Sequence, residues 1–406
     1  MDILFLSHCV PNPPNKGEKI RARQVVTRLA ERCRVHLVCF ARSRAEAEAA
    51  QELRDRCASV YAEVRSFTHS LAWAGVRFAA GDSLYVALFR SRTMRAYVQE
   101  LSRRVPLSAT VAYALPMVSH APSGVPMLLD MQDVDSEKWF QYARMRRFGF
   151  LYEIEARRLR ARELRSAGQA VATFLTARQE TALLRSLAPS TAVVECMENG
   201  VDFDYFHPDR IPRVPDLACR RFIAFVGTMD YYPNIDAASW FAREVYPAIR
   251  RHEPSLEFLV VGNHPAKAVL ELARIPGVSV TGGVPDVRPY LAGARALVTP
   301  LRLARGIQNK VLEGLALGRQ VCATAAVCRT FGEEVPPGVI RCDSPAEFAG
   351  TILGCAAREP QCDPDIRDHT RRRFSWRRNL EPLVNALEAM KETAPIASHG
   401  EAYGHT

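Results

Sequence analysis

Short apolar and β-branched runs alternate with amphipathic stretches along the chain, the pattern of βαβ units built around a parallel sheet. In the first half the runs fall at 2–7, 34–40, 59–64, 109–113, 126–130 and 170–174, with helical patterns between most of them. The second half repeats the plan at 222–227, 256–262, 278–282, 296–300 and 320–324, each run bounded by Gly, Pro or a polar turn. Between the halves, Pro208, Pro212 and Pro215 forbid a regular helix across 204–216, which makes that stretch the expected linker. Phe148, Leu151, Tyr152, Ala156 and Leu159 recur at about helical spacing, so 135–167 is expected to form one long amphipathic helix. Its arginines can be solvated or paired with Glu153, Glu155 and Glu163; the alternative is a basic helix facing a membrane. The polar residues 395–406 read as a disordered tail.

At 406 residues the chain is long for one core, and two domains are expected. Hydrophobic residues at 48% and charged residues at 24% match a folded globular protein, which removes disorder and fibrous repeats from consideration. No apolar stretch approaches the length of a spanning helix, and the opening Met-Asp-Ile-Leu-Phe-Leu-Ser is too short and too acidic for a signal peptide. The expected location is the cytoplasm. The eleven cysteines are scattered, without a C-x-x-C pair or a Cys/His cluster at zinc spacing, and read as reduced core thiols. No metal and no resident cofactor is expected. The net charge of +10 comes mostly from arginine, densest between Arg144 and Arg165. Such a surface attracts anionic lipid or phosphorylated substrates, but no nucleic-acid module accompanies it, so nucleic acid is not an expected partner.

Three stretches could carry chemistry. In 303–318 a strand ending near Pro300 leads through a Gly-containing loop into a helix, so free N–H groups and the positive helix end would face an anion. Lys310 and Glu313, three apart, share one face of that helix. A cation beside phosphates and a carboxylate accepting from ribose hydroxyls would together grip a nucleoside diphosphate; the plain alternative is a surface ion pair. In 225–234, Phe-Val-Gly-Thr-Met-Asp-Tyr-Tyr-Pro-Asn, a buried strand stops at Gly227, where a ligand can approach backbone closely. In 11–21 a loop with Lys16, Gly17, Lys19 and Arg21 follows the first strand, where open α/β sheets bind ligands, and could meet a donor diphosphate or an anionic acceptor.

Taken together, 225–234 and Gly-Ile-Gln-Asn-Lys-Val-Leu-Glu at 306–313 resemble glycosyltransferase family 4, of GT-B fold. The opening Pro-Asn-Pro-Pro-Asn-Lys-Gly-Glu-Lys-Ile-Arg and Ala-Arg-Gly-Ile-Gln-Asn-Lys at 304–310 are similar to the sugar transferases associated with PEP-CTERM and exopolysaccharide loci. Glu-Asn-Gly-Val-Asp at 198–202, Val-Thr-Gly-Gly-Val-Pro-Asp-Val-Arg-Pro-Tyr at 280–290 and Phe-Ser-Trp at 374–376 extend the likeness over almost the whole chain.

The resemblance implies an α/β protein of two facing Rossmann-like domains. They would be an acceptor-side domain at 1–207, completed by a returning helix at about 376–392, and a nucleotide-sugar domain at 217–375. It implies a retaining, metal-independent transfer from a nucleotide-sugar to a glycan or polyprenyl-linked acceptor, with peripheral attachment to the inner membrane as a further expectation. Lys310 would contact the diphosphate, Glu313 the ribose, backbone at Gly283 and Val284 the base, and Gly227 and Thr228 the phosphate side. Asn234, Gly306, Ile307 and Asn309 complete the donor set, and Gly17 would touch the donor from the opposite domain. Lys16, Lys19, Arg21 and Asp135 are expected on the acceptor side.

Two positions depart from the family pattern. Arg305 stands where the first acid of E-x7-E is expected, and Gln132 where a His often precedes Asp133. Lys310 and Arg305 could stabilise the leaving group, while Asp133 or Asp135 could orient the acceptor hydroxyl or cap the following helix. The pair Asp133 and Asp135 also spells the D-x-D of a metal-dependent GT-A transferase. A nucleotide-sugar epimerase of the same architecture and a non-catalytic basic scaffold are the competing readings.

Overall fold

The computed structural model describes residues 1–145, 148–304 and 306–392. The chain forms two parallel sheets, each sandwiched by helices. The first has seven strands in the order β3-β2-β1-β4-β5-β6-β7: β1 Asp2–Ser7, β2 Arg34–Ala41, β3 Ser59–Val64, β4 Leu107–Tyr113, β5 Met127–Gln132, β6 Ala172–Leu175 and β7 Val194–Cys196. The second has six in the order β10-β9-β8-β11-β12-β13: β8 Arg221–Val226, β9 Leu256–Val261, β10 Val278–Gly282, β11 Ala296–Thr299, β12 Val321–Ala323 and β13 Val339–Arg341. These are two Rossmann-like α/β units.

Both faces of the first sheet are buried, which is why its strands read as continuous apolar runs. Ile3 and Phe5 of β1 join one core with Val35, Leu37 and Val111, while Leu4 and Leu6 join another with Val38, Leu129 and Leu175. The chain then crosses to the second sheet and comes back. Phe374 is buried in the second core, but Trp376, Leu380, Leu383 and Leu387 pack into the first. Arg28 and Arg32 hold this returning segment, Glu381–Glu392, by ion pairs to Glu381 and Glu388.

Several expectations need adjusting. β7 and β13 lie outside the expected runs, because a three-residue strand shows no periodicity to read. The long helix expected over 135–167 is two antiparallel helices, Asp135–Met145 and Gly149–Gln169. Gly149 permits the reversal, since a Cβ there would sit 2.1 Å from the Ala143 carbonyl oxygen. The expected linker holds a single helical turn at Pro208–Arg210 and runs into a short helix, Pro215–Ala218, started by proline in its first turn, where no amide is needed. Among the cysteines Cys219 and Cys362 are exposed, not core. The expected tail, 395–406, lies outside the described residues.

Candidate active site

In each sheet the winding direction reverses at one place, between β1 and β4 and between β8 and β11. Connections leaving the carboxyl ends of those strands diverge there and open a crevice. The segments picked out in the sequence occupy these points: 8–16 follows β1, 227–231 follows β8, and 300–308 follows β11. The two crevices face each other. A Cβ on Gly17 would lie 3.4 Å from Asn309 Nδ2, and Asn199 Nδ2 donates to Asn309 Oδ1 at 3.4 Å. A Cβ on Gly306 would lie 3.3 Å from Thr176 Oγ1 and 3.6 Å from Asp133 Oδ1.

On the second-domain wall, Lys310 rises from the first turn of helix Asn309–Ala316, whose other face is locked into the core by Val311, Leu312 and Leu315. Its Nζ donates to Asn234 Oδ1 at 2.7 Å and stands 4.7 Å from the Phe225 ring centroid. Asn234 is oriented in turn by donating Nδ2 to the Thr228 carbonyl at 2.9 Å. Gly227 lies against this pair: a Cβ would come 2.8 Å from Asn234 Nδ2 and 2.9 Å from Lys310 Nζ. No ion pair joins Lys310 to Glu313 among the described residues, so the surface-pair reading does not hold. Both side chains keep some surface open to the crevice although protein surrounds them. Burial, only partly opposed by Glu313, pulls the Lys310 ammonium down to about 7. Burial, only partly opposed by Lys310, pushes the Glu313 carboxyl up to about 7. Each group is short of a partner that a phosphate or a hydroxyl would supply.

The other donor-side residues surround this centre. Ile307 is buried in the second core, and Val284 packs against it. Gly283 lies hard against Asn263, with a Cβ there 2.0 Å from Asn263 Oδ1. Next to it, Asp286 pairs with Arg288 at 2.6 Å, and the Arg288 guanidinium lies 3.9 Å from the Tyr205 ring centroid. Tyr205 is within electrostatic reach of Glu313, so the crossover segment borders the donor side. Arg305 lies outside the described residues.

The first-domain wall carries Asp133 and Asp135. Lys138 Nζ stands 3.4 Å from Asp133 and 2.9 Å from Asp135, and Thr176 Oγ1 donates to Asp133 at 3.2 Å. The capping alternative fails, because the first-turn amides go elsewhere: Ser136 N–H donates to Glu163 at 2.9 Å and Glu137 N–H to the Val134 carbonyl at 3.1 Å, while the Val134 N–H just before the helix goes to Glu180 at 2.9 Å. Burial opposes the Lys138 charge, but the two aspartates outweigh it and hold the ammonium above its ordinary range. Gln132, at the end of β5, has φ 72°, a left-handed conformation that a side chain of this size rarely adopts outside constrained sites.

Two expected acceptor-side residues are structural instead. Arg21 is buried, with Nε and Nη2 forming a fork on Asp130 at 2.9 and 3.0 Å and Nη1 donating to Met197 O and Asn199 Oδ1. Lys19 is buried against Glu46 at 2.8 Å. They flank the buried face of helix Gly17–Ala30 formed by Ala22, Val25 and Val26, Lys19 on the side of Glu46 and Arg21 on the side of Asp130. Lys16 remains half-buried beside Gly17.

His8, which the sequence reading passed over, follows β1 directly and stacks on Tyr113, with ring centroids 5.5 Å apart. Its Nε2 lies 3.6 Å from Glu18 Oε2, and this contact, against the opposing effect of burial, lowers the Glu18 carboxyl to about 2. The rule that ligands bind beyond the carboxyl ends of strands would have found it. His120 is buried under Phe40 and bound to the Phe89 carbonyl, away from these groups.

Comparison with known proteins bears on the fold. Residues 220–357 match the family profile described as Glycosyl transferases group 1. No curated protein matches the chain in sequence. Among solved structures, HepE of Anabaena in complex with UDP-glucose is similar at 12% identity and a TM-score of 0.65, covering 96% of this chain and 100% of that one. Sucrose-phosphate synthase from Thermosynechococcus elongatus is similar at 16% identity and a TM-score of 0.65, covering 97% and 100%. TarM of S. aureus, solved with UDP, fondaparinux and α-GlcNAc-glycerol, is similar at 12% identity and a TM-score of 0.55, covering 74% and 58%. The chain therefore has the GT-B fold. The match to the glycosyl transferases group 1 profile lies within its second domain.

Proposed function

We propose that the chain is a retaining, metal-independent glycosyltransferase of family 4, close to the PEP-CTERM-associated enzymes. It would move a sugar from a nucleotide-sugar to a glycan or polyprenyl-linked saccharide in exopolysaccharide synthesis, at the cytoplasmic face of a membrane. The observation that carries the reading is the cluster of Lys310, Asn234 and bare Gly227 at the β8/β11 switch point: a desolvated cation with a neutral acceptor and no ion-pair partner within the site, held against a glycine. Lys310 meets the diphosphate and gains strength as negative charge grows on the leaving group. Glu313 accepts from ribose hydroxyls, backbone at Gly283 and Val284 takes the base, Thr228 lines the phosphate side, and Gly17 closes from the other domain. Arg305 takes part in donor binding on the strength of its place in the family pattern. Asp133, with Asp135 and Lys138 beside it, orients the acceptor hydroxyl. A single ammonium already bridges the two aspartates, which favours this over a D-x-D metal site.

Calorimetric titration of UDP, GDP and their sugar conjugates, with and without a divalent metal and with Glu313→Ala as control, tests the proposal. Tight, metal-independent binding of one nucleotide that the variant loses is the expected result. No binding would favour a scaffold; binding with isomerised donor and no transfer would favour an epimerase.

A further inference from the structure

Helix Leu84–Leu88 is only five residues long, yet its position is fixed several times over. Its first turn is tied to Glu155, a carboxylate 1% exposed that accepts from the Ser83 hydroxyl at 2.7 Å and from the Leu84 and Tyr85 amides at 2.7 and 3.0 Å. Just before the helix, Asp82 takes the guanidinium groups of Arg77, Arg90 and Arg162, each at 3.0 Å. On the inward side Val86 joins the core that holds Leu4 and Met117. A helix of this length does not stand alone in water, so these bonds and this packing are what hold it in place.

The side chain so placed is Tyr85. A run of rings links it to the carboxyl end of β1: His8 stacks on Tyr113, Phe89 meets His8 edge-on with centroids 5.9 Å apart, and Tyr85 meets Phe89 edge-on at 5.8 Å. Tyr113 is fixed in turn, its hydroxyl donating to the Glu18 carbonyl at 2.6 Å. Tyr85, Phe89 and His8 are each half-buried. The Tyr85 phenol lies within electrostatic reach of Asp135, Lys138, Glu18 and Asp133, which puts it on the first-domain wall of the crevice. Burial and the three carboxylates, against Lys138, hold it above its ordinary range, so it keeps its proton and can donate. Among the described residues its hydroxyl makes no hydrogen bond. A tyrosine surrounded by protein ordinarily gives its hydroxyl a partner. Here the ring is held from two directions and the hydroxyl is left for a ligand.

We propose that Tyr85 binds a saccharide acceptor: its hydroxyl bonds a sugar hydroxyl neighbouring the one that Asp133 orients, while its ring and that of Phe89 lie against the C–H face of the same sugar ring. A pyranose offers both surfaces, apolar C–H groups on its face and hydroxyls at its rim, and sites for such ligands combine aromatic walls with a few placed polar groups. A small polyol such as glycerol offers the hydroxyls without the ring face. The inference rests on the transferase reading and narrows its acceptor to one presenting a pyranose ring; its test separates the two.

The full chain is examined by saturation-transfer NMR with the methyl glycosides of glucose, galactose and mannose and with glycerol, each alone and with UDP or GDP present, alongside nucleotide titration and thermal melts. Saturation should reach the ring protons of at least one glycoside and not glycerol. Tyr85→Phe removes only the hydroxyl, and should bind that glycoside about 2- to 10-fold more weakly, the worth of one neutral hydrogen bond, with an unchanged melt because the fold loses no bond. Tyr85→Leu should abolish the transfer while nucleotide affinity stays at the wild-type level; should it melt early, Tyr85→Phe decides alone. No glycoside bound by the wild type, glycerol bound equally well, or wild-type glycoside affinity in Tyr85→Phe would overturn the proposal. Glycoside binding absent with nucleotide binding intact defeats this inference alone; glycoside binding that depends on Tyr85 with no nucleotide bound defeats the transferase reading alone.

Discussion

Lys310 Nζ donates to Asn234 Oδ1 at 2.7 Å above the Phe225 ring, so a largely buried ammonium has one neutral acceptor and one π face but no carboxylate. A cation left in that state favours an anionic ligand over water.

Lys310→Met keeps the bulk and removes the charge. Nucleotide diphosphate affinity should fall by about 10- to 100-fold, the worth of a charge-assisted hydrogen bond or two. The melting temperature should stay level or rise, because an unpaired buried cation has been removed. Titration calorimetry with a thermal melt checks both; a lower melting temperature with unchanged affinity would make Lys310 structural.

Donor affinity should peak near neutrality. Lys310 in the free protein is pulled by burial to about 7 from an ordinary 10.5, so its charge is present below that value and lost as pH rises through it. Glu313 is pushed by burial to about 7 from 4.5, so its carboxylate is lost as pH falls through that value. Lys310→Met should lack the alkaline fall and Glu313→Gln the acid fall. The same shifts act oppositely on the unliganded fold. Stability rises with pH between about 7 and 10.5, where the unfolded chain alone holds the lysine proton. It falls with rising pH between 4.5 and about 7, where the folded chain alone holds the glutamate proton. A binding profile flat across neutrality would contradict the assignment.

Gly227→Ala places a methyl 2.8 Å from Asn234 Nδ2 and 2.9 Å from Lys310 Nζ. The strand can stay, but the two side chains must part. Nucleotide binding should weaken by about tenfold or more while denaturant stability changes by about 1 kcal/mol or less, since the strain falls on a partly open site. Denaturation with calorimetry separates this from a folding defect, which would show as a loss of stability several times larger.

Asp130→Asn removes the carboxylate that neutralises Arg21 in the first core. Breaking such a buried pair from one side costs about 3–5 kcal/mol. Urea unfolding should show that loss. The double replacement Arg21→Met, Asp130→Leu should recover much of it, and a recovery of nothing would mean the arginine acts through Met197 and Asn199 instead.

The donor side was legible because it obeys a local rule. A strand ends, a glycine follows, and a helix begins with a cation in its first turn, all within the spans 225–234 and 306–313. Arg21 misled for the opposite reason: it resembles its neighbours Lys16 and Lys19 in a basic loop, and its partner Asp130 is 109 residues away. Asp133 and Asp135 could equally have been caps, and only the arrival of Glu163 and Glu180 from later helices freed them for Lys138. His8 carried a usable signal, its place directly after β1, but its partner Glu18 was hidden among the charges of the next helix.

The sequence by itself determined the α/β architecture and the presence of two units, because buried parallel strands must be apolar along their whole length and bounded by turns. It also determined that Lys310 and Glu313 lie on one helix face, which follows from helical spacing alone. The tertiary structure alone decided which charges are neutralised, where the 135–167 helix folds back at Gly149, and that Gly17 and Asp133 of one domain meet Asn309 and Gly306 of the other. Those depend on contacts between residues far apart in the chain. Their energies come from burial and close approach, neither of which leaves a local pattern.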